Sequence, residues 1–586
     1  MEKVYRYDLD LLKGLAIIAV VLYHAGWCKS GYLGVDVFLV INGYLVVPKV
    51  MNEIASGQFR YFSFLEKKLF RLLPLVLLVS AFALCVGYMD MLPFDFRFLS
   101  EEVVASSVFA NNILQSITTQ NYWAAIYHKV MMHTWFLGVL FQFYIVFPLL
   151  MLAFRKWMKS ALVVLTGLSL LLYLSPIDTI ADKYYLIHYR FFELSIGGLI
   201  ALRTYRGPSL LSYASLLCIL LMIFFGAFTI GERAMPYNLV GGTNTIRESF
   251  LPRELILILT VLFTTLFVFC NKQESRISSV AHNSKILSPL GRMSLSIFLW
   301  HQPFFAFYRY FYADEISFPV LLGIIAITLS LSIFTYFMIE KKIQPNIFSR
   351  CCLLLSFIAM NAFSLWVYGI GGAVRDVPEL GIHKGYADPK VFECYTDRIY
   401  DYDKEFAIES TKKKILVIGN SFARDFANIL LESTMRDCIQ LSYHYDFESC
   451  PLSRICQCNR IYFFGWKHQV PEEVWQNLRP QAEIWGIGTK NHGTSNGVFY
   501  RNRHRVDYFA QRTSINPDYF AVNRLLCEEW QSHYIDLLSL TLMPDSTVPV
   551  FTPDNHFVTY DCRHLTPDGA CFYAKIFNIQ YNTIYE

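Results

Sequence analysis

The sequence predicts a polytopic α-helical membrane domain followed by an α/β domain outside the membrane. Two observations predict this. Of 586 residues, 54% are hydrophobic and only 17% charged, whereas soluble domains carry about 25% charged residues. The long apolar runs stop near residue 375, and the remaining residues have the composition of an ordinary globular chain. The 16% aromatic share excludes intrinsic disorder. With 51 basic against 47 acidic residues, no net field points to nucleic acid. The expected organisation is a membrane domain over 1–345, a final span and linker over 346–385, and an extracytoplasmic domain over 386–586.

A bilayer core of about 30 Å takes roughly 20 apolar residues per helix. Suitable runs lie near 11–28, 34–50, 72–89, 133–153, 160–176, 190–202, 209–230, 254–270, 288–308, 319–339 and 351–371, about eleven spans. The first is expected to be a retained span, because no small-residue cleavage site comes after it. Alternate connections are basic: Lys49, Arg60, Lys67, Lys68 and Arg71, then Arg155, Lys156 and Lys159, then Arg203 and Arg206. Lys272, Arg276 and Lys285, and finally Lys341, Lys342 and Arg350, continue the series. The connections between them carry Asp90, Asp95, Glu101 and Glu102, then Asp178 and Asp182, then Asp314 and Glu315. By the positive-inside rule the amino terminus is cytoplasmic and, after an odd number of spans, the tail is outside.

Titratable groups within spans are costly and mark function by default. Lys13 and His24 stand eleven residues apart, about 16 Å and three turns along one helix face. Asp36 opens the next span, His133 and Trp135 the fourth, and Arg190 and Glu193 the sixth, while Arg292 and His301 bracket most of the ninth. Bland readings stand beside these. Lys13 also fits a snorkelling anchor, His24 a packed hydrogen-bonded residue, and Arg190 with Glu193 a helix ion pair, the preferred reading for that pair. The cluster Lys67, Lys68, Arg71 before Pro74, at a cytoplasmic helix start, fits a topology signal or a grip on phosphates.

Residues 6–47, RYDLDLLKGLAIIAVVLYHAG and then GYLGVDVFLVINGYLV, resemble the opening of the membrane acyltransferase-3 family. The family's Arg-x10-His motif falls on Lys13 and His24, and its Arg-x-x-Arg motif on Lys68 and Arg71. HTWFLGVLFQFYIVFP (133–148), RFFELSIGG (190–198), LGRMSLSIFLWHQP (290–303) and IEK (339–341) resemble later blocks in the expected order. There are departures: Lys13 and Lys68 replace Arg, Leu140 and Phe141 replace an acidic pair before Gln142, and Asn42 stands where Ser is common. The resemblance implies that Lys13, Lys68 and Arg71 engage acyl-CoA. It gives His24 the role of base or acyl relay, with Asp36, His133, Arg190, Glu193 and His301 supporting the membrane site.

In the tail, the apolar run Ile415–Ile418 reads as a buried parallel strand, Gly419-Asn420 as a turn and Phe422–Leu431 as a helix. Ser421 then sits at the sheet edge where α/β proteins bind ligands, at a helix amino terminus that helps stabilise an oxyanion; the bland reading is an N-cap serine. Near the chain's end, Asp561 and His564 are three residues apart and precede another helix. Ser421, Asp561 and His564 suit nucleophile, orienting acid and general base. Asn491, at another strand end, fits an oxyanion donor or a turn residue. These blocks resemble the SGNH-hydrolase superfamily, whose domains are flavodoxin-like three-layer folds, with Gly419-Asn420-Ser421 in place of Gly-Asp-Ser. Of fourteen cysteines, eight lie in the tail: Cys394, Cys438, Cys450, Cys456, Cys458, Cys527, Cys562 and Cys571. An outside location permits disulfides; no metal site is legible.

Together the resemblances imply transfer of an acetyl group from cytosolic acyl-CoA to a hydroxyl of a cell-envelope polysaccharide such as O-antigen, capsule or exopolysaccharide. Acetyl-CoA would be a donor substrate with no permanently bound cofactor, and the partners would be membrane lipids and a polysaccharide or lipid-linked glycan. The location implied is the bacterial inner membrane, with a periplasmic tail. The alternatives are a glycan or acyl transporter with a binding-only tail, and a membrane-anchored carbohydrate esterase.

Overall fold

The computed structural model describes residues 5–118, 129–176, 180–203, 207–225, 253–272, 275–385, 395–407 and 409–581. Asp178, Arg206, Cys394 and positions 226–230 of the seventh expected run lie outside them. The chain divides into two compact units, a helical one ending at Tyr368 and a second built mainly from Gly369 onward.

Among the described residues, each of the eleven expected apolar runs is mostly helical. Five helices among the described residues are long and apolar enough to cross a bilayer: Gly31–Ala55, Tyr61–Asp90, Met132–Ala153, Phe318–Glu340 and Ile347–Gly369. Met158–Leu174, Ser209–Phe225 and Glu254–Cys270 are shorter apolar helices. The first helix runs Tyr7–His24, earlier than the expected 11–28, because its acidic first turn is paired. Arg6 donates to Asp8 at 2.6 Å, Asn271 to the same carboxylate at 2.8 Å, and Tyr5 to Asp10 at 2.6 Å. Gly26, at φ +84°, turns the chain just beyond His24.

Two local expectations are corrected. Pro74 lies inside the continuous helix Tyr61–Asp90 rather than just after a helix start, a placement that membrane helices tolerate. Arg292 and His301 do not share a helix: Leu287–Arg292 ends at Met293, and Ser294–Phe311 carries His301. Gly291 explains the break, since a Cβ there would stand 1.8 Å from Asp10 O, so this turn is pressed onto the first helix.

Glycines also set the approach of helices Gly34–Ala55 and Ile187–Ala201. A Cβ on Gly43 would meet Leu194 O at 1.7 Å, and one on Gly197 would meet Val40 O at 2.1 Å. Small residues let membrane helices come this close, and the approach brings Asp36 against Arg190.

In the second unit, strands β1 (Lys413–Ile418), β2 (Ile439–His444), β3 (Arg460–Phe463), β4 (Glu483–Ile487) and β6 (Tyr534–Ile535) form a parallel sheet in the order β2-β1-β3-β4-β6. β5 (Arg512–Ser514) and β7 (Thr547–Pro549) pair separately and antiparallel. The strand order reverses beside β1, and ligands bind outside the carboxyl ends of strands at such a point. β1 is buried from Ile415 onward, as its unbroken apolar run requires. The helices Ser421–Glu432 and Pro567–Tyr581 pack on this core through Phe426 and Phe577. The stretch read as linker is partly ordered in this unit: Ala373, Val377 and Ile382 are buried with Phe551 and Phe557.

Gly43→Val should lower the unfolding temperature of the detergent-solubilised protein, with an overpacking cost of about 1–3 kcal/mol. Gly167→Ala is the control, since a Cβ there meets nothing within 4 Å. Scanning calorimetry of both variants checks this; equal melting would show that the helix pair yields freely.

Candidate active sites

In the tail, β1 delivers the chain to Gly419, whose φ of +135° favours glycine. Asn420 caps the next helix by accepting from Phe422 N–H at 2.9 Å, and Ser421 is that helix's first residue. Its Oγ lies 2.8 Å from His564 Nε2. His564 Nδ1 donates to Asp561 Oδ2 at 2.7 Å, while Asp561 Oδ1 accepts the backbone N–H groups of Arg563 at 3.0 Å and His564 at 2.8 Å. The three residues expected to act together are therefore assembled, with Ser421 and His564 143 positions apart in sequence.

The loop bearing His564 is held from several sides. Cys562 sits at φ +65°, uncommon for a residue with a side chain. His492 N–H donates to Cys562 O at 2.9 Å, and Asn496 Nδ2 donates to Thr559 O at 2.7 Å and Tyr560 O at 2.9 Å. Beneath lies a pair that sequence reasoning missed. Asp425, one turn after Ser421, is ion-paired to Lys490, and both side chains are wholly buried. Asp425 also accepts Leu565 N–H at 3.2 Å, and Lys490 donates to Arg563 O at 2.6 Å. The pair thus pins both neighbours of His564 to the Ser421 helix. The signals available were the i, i+4 spacing from Ser421 and the charge inside the block containing Asn491.

Asn491 is tied into its own loop. Its Nδ2 donates to Gly493 O at 2.9 Å, and its Oδ1 accepts from Gly493 N at 3.3 Å and Asn516 N at 3.2 Å. It orders a turn.

Electrostatics suit base catalysis. Partial desolvation opposes the charge on Asp561, but the neighbouring His564 and its hydrogen bonds hold the carboxyl well below the usual range. Burial alone would lower His564, yet the charge and hydrogen bond of Asp561 outweigh it and raise the imidazole above its ordinary value.

In the helical unit, His24 and His301 meet with Nδ1 and Nε2 2.6 Å apart, both buried. The His133 ring lies 5.6 Å from that of His301. Arg190, fully buried, lies 2.8 Å from Asp36 and 2.8 Å from Glu193. The expected ion pair is present, and Asp36 makes it a triad. Lys13 lies 3.7 Å from Asp10, and Lys68 sits 4.3 Å above the Tyr144 ring. Arg71 lies within electrostatic reach of Lys13, Lys68 and Glu340. The departures are accommodated by packing: Phe141 stacks on Phe109 at 4.2 Å, and Asn42 donates to Phe38 O at 2.8 Å. Among the described residues no group of three His, Cys, Asp or Glu is placed to hold a metal ion, and thirteen cysteines are free thiols.

A family model described as an acyltransferase domain matches residues 6–339, more than half of the chain. The chain belongs to the acyltransferase-3 family. It is 26% identical over 345 residues to a protein of Komagataeibacter xylinus named as a membrane-bound transacylase, BcsY, covering 57% of this chain and 82% of that one. It is 26% identical over 343 residues to the peptidoglycan O-acetyltransferase OatA of Listeria monocytogenes, covering 52% and 51%. A protein named as an O-acetyltransferase in Staphylococcus aureus strain MSSA476 is 26% identical over 352 residues, covering 56% and 55%. The chain thus spans about half the length of these last two relatives. No solved structure matches. The protein is a multi-pass membrane acyltransferase, and the tail bearing Ser421 lies beyond the family match.

Attack by Ser421 on an activated ester would require neutral His564 as the base. The initial burst with p-nitrophenyl acetate should therefore rise with pH through a midpoint above the ordinary histidine value of about 6.5. Asp561→Asn should move that midpoint down and slow the burst on the order of 10⁴-fold, as in other triads. Stopped-flow measurements on the full-length protein, with Ser421→Ala as blank, provide the check. A midpoint unmoved by Asp561→Asn would contradict the coupling.

Proposed function

We propose that this acyltransferase moves an acetyl group from cytosolic acetyl-CoA across the bacterial inner membrane onto a hydroxyl of a cell-envelope polysaccharide. The observation that carries this reading is the assembled Ser421–His564–Asp561 triad in a chain whose other unit is an acyltransferase-3 domain. The acetyl group and the envelope acceptor are taken from OatA, a peptidoglycan O-acetyltransferase by name. The alternation of basic connections supports a cytoplasmic amino terminus and an extracytoplasmic tail.

In this scheme Lys68 and Arg71 neutralise the CoA phosphates, with Lys13 at the inner mouth, and His24 receives the acyl group within the bundle. Ser421 then forms an ester with it. His564 takes the serine proton during attack and later activates the sugar hydroxyl, while Asp561 holds the ring and offsets the imidazolium charge. Two observations weigh against the alternatives of a transporter and of an anchored esterase. A binding-only tail does not need Ser421 hydrogen-bonded to a buttressed histidine, and an anchor does not need a buried histidine cluster.

The test is the base-labile acetyl content of purified envelope polysaccharide from cells expressing the intact chain, Ser421→Ala or His24→Ala at matched levels. Loss of one acetyl ester in both variants is expected. Full acetylation in Ser421→Ala would refute the serine intermediate for that glycan, and full acetylation in His24→Ala would refute the membrane relay.

A further inference from the structure

We infer that His301 is a positioning residue that locks His24 as the Nδ1–H tautomer, leaving His24 Nε2 as the atom that accepts the acyl group and making His301 Nε2 the acceptor of the displaced proton. This inference rests on the function proposed above and names its reacting atom. Obligatory donors and acceptors fix the two tautomers in turn. His301 Nδ1 lies 3.1 Å from Ile297 O. A carbonyl only accepts, so Nδ1 carries the proton and the neutral ring presents a lone pair at Nε2. That lone pair faces His24 Nδ1 at 2.6 Å, so His24 Nδ1 must donate. His24 Nε2 is then unprotonated. Among the described residues it has no hydrogen-bond partner, although it is buried.

His133 shows why the reacting ring is His24. Pro303 has no N–H to offer Leu299 O four residues earlier, and His133 Nε2 occupies that carbonyl at 3.2 Å. The Nδ1 of His133 also has no hydrogen-bond partner among the described residues, but a backbone carbonyl cannot take up a proton, so an acyl group there would leave a cationic ring. Behind His24 stands a second imidazole that can. His133, His301 and Arg309 are the groups acting electrostatically on His24.

The step balances. The Nε2 lone pair forms a bond to the thioester carbonyl carbon, the C–S bond breaks, and the thiolate leaves with its electron pair. The Nδ1 proton passes to His301 Nε2, giving a neutral acyl-imidazole beside an imidazolium. When Ser421 attacks, His564 takes its proton, Nε2 is released and His301 returns the proton to Nδ1; loss of the His564 proton to solvent then balances protonation of the released thiolate.

Two measurements on the full-length protein in nanodiscs test this. In ¹⁵N-histidine spectra at neutral pH, assigned through His24→Gln and His301→Gln, His24 should show a protonated Nδ1 and an unprotonated Nε2. The reverse pattern overturns the inference whatever the donor. With acetyl-CoA as probe and free thiol as readout, His301→Ala should lower kcat by about 10²–10⁴-fold, the range of acid–base assistance, with KM little changed. His301→Gln, whose carbonyl preserves the tautomer but takes no proton, should recover part of that loss. Wild-type kcat in His301→Ala, or a loss confined to KM, overturns the inference. Absence of thiol release by the wild-type protein would instead refute the proposed donor, leaving the spectra to decide the tautomer.

Discussion

A polar atom sealed inside an apolar bundle must find its partner there, because an unpaired buried donor or acceptor costs about 1–3 kcal/mol and an unpaired charge more. The helical unit is organised around that constraint. Arg190 is fully buried between Asp36 and Glu193 and lies 4.9 Å from the Tyr184 ring. Its placement requires helices Gly34–Ala55 and Ile187–Ala201 to approach as closely as Gly43 and Gly197 allow. The glycines and the ions therefore depend on each other: a wider helix spacing would leave buried charges apart. The paired acidic turn at Asp8 and Asp10 obeys the same rule at the start of the first helix.

The histidines obey that rule and leave a remainder. His301 has both ring nitrogens held and His24 and His133 one each, which among the described residues leaves His24 Nε2 and His133 Nδ1 open. The tail uses a related arrangement with a different partner. His564 is backed by a carboxylate, which fixes the tautomer and also stabilises an imidazolium. His24 is backed by a neutral ring. A carboxylate behind His24 would need its own counter-ion inside the bundle, whereas Asp561 is partly exposed and receives backbone N–H groups. The different partners reflect the different surroundings.

Much of the candidate chemistry was legible in the sequence because it is carried by local patterns. The strand Ile415–Ile418, the turn at Gly419 and the helix after it were readable from an unbroken apolar run, a glycine and helical spacing, and Asp561 with His564 from their three-residue interval. Misreadings arose where a distant partner overrode local preference. The first helix starts early because Arg6, Asn271 and Tyr5 satisfy its acids, and the ninth run breaks where Gly291 is pressed onto Asp10. Asn491 was readable as either donor or turn residue, and its bonds to Gly493 and Asn516, which fix its side chain, were not readable at all.

By itself the sequence determined that the chain has an apolar helical part and an α/β tail, and which residues could carry acyl chemistry. Hydrophobic run length and motif spacing are properties of the covalent chain. Only the tertiary structure decided which nitrogen of each histidine is held, that Asp36 joins Arg190 and Glu193, and that Lys490 with Asp425 braces the loop of His564. Hydrogen bonds and buried ion pairs act over about 3 Å, between residues that in these sites stand from 3 to 277 positions apart in sequence. No local pattern records such a distance; the packing of helices and the closing of the sheet create it.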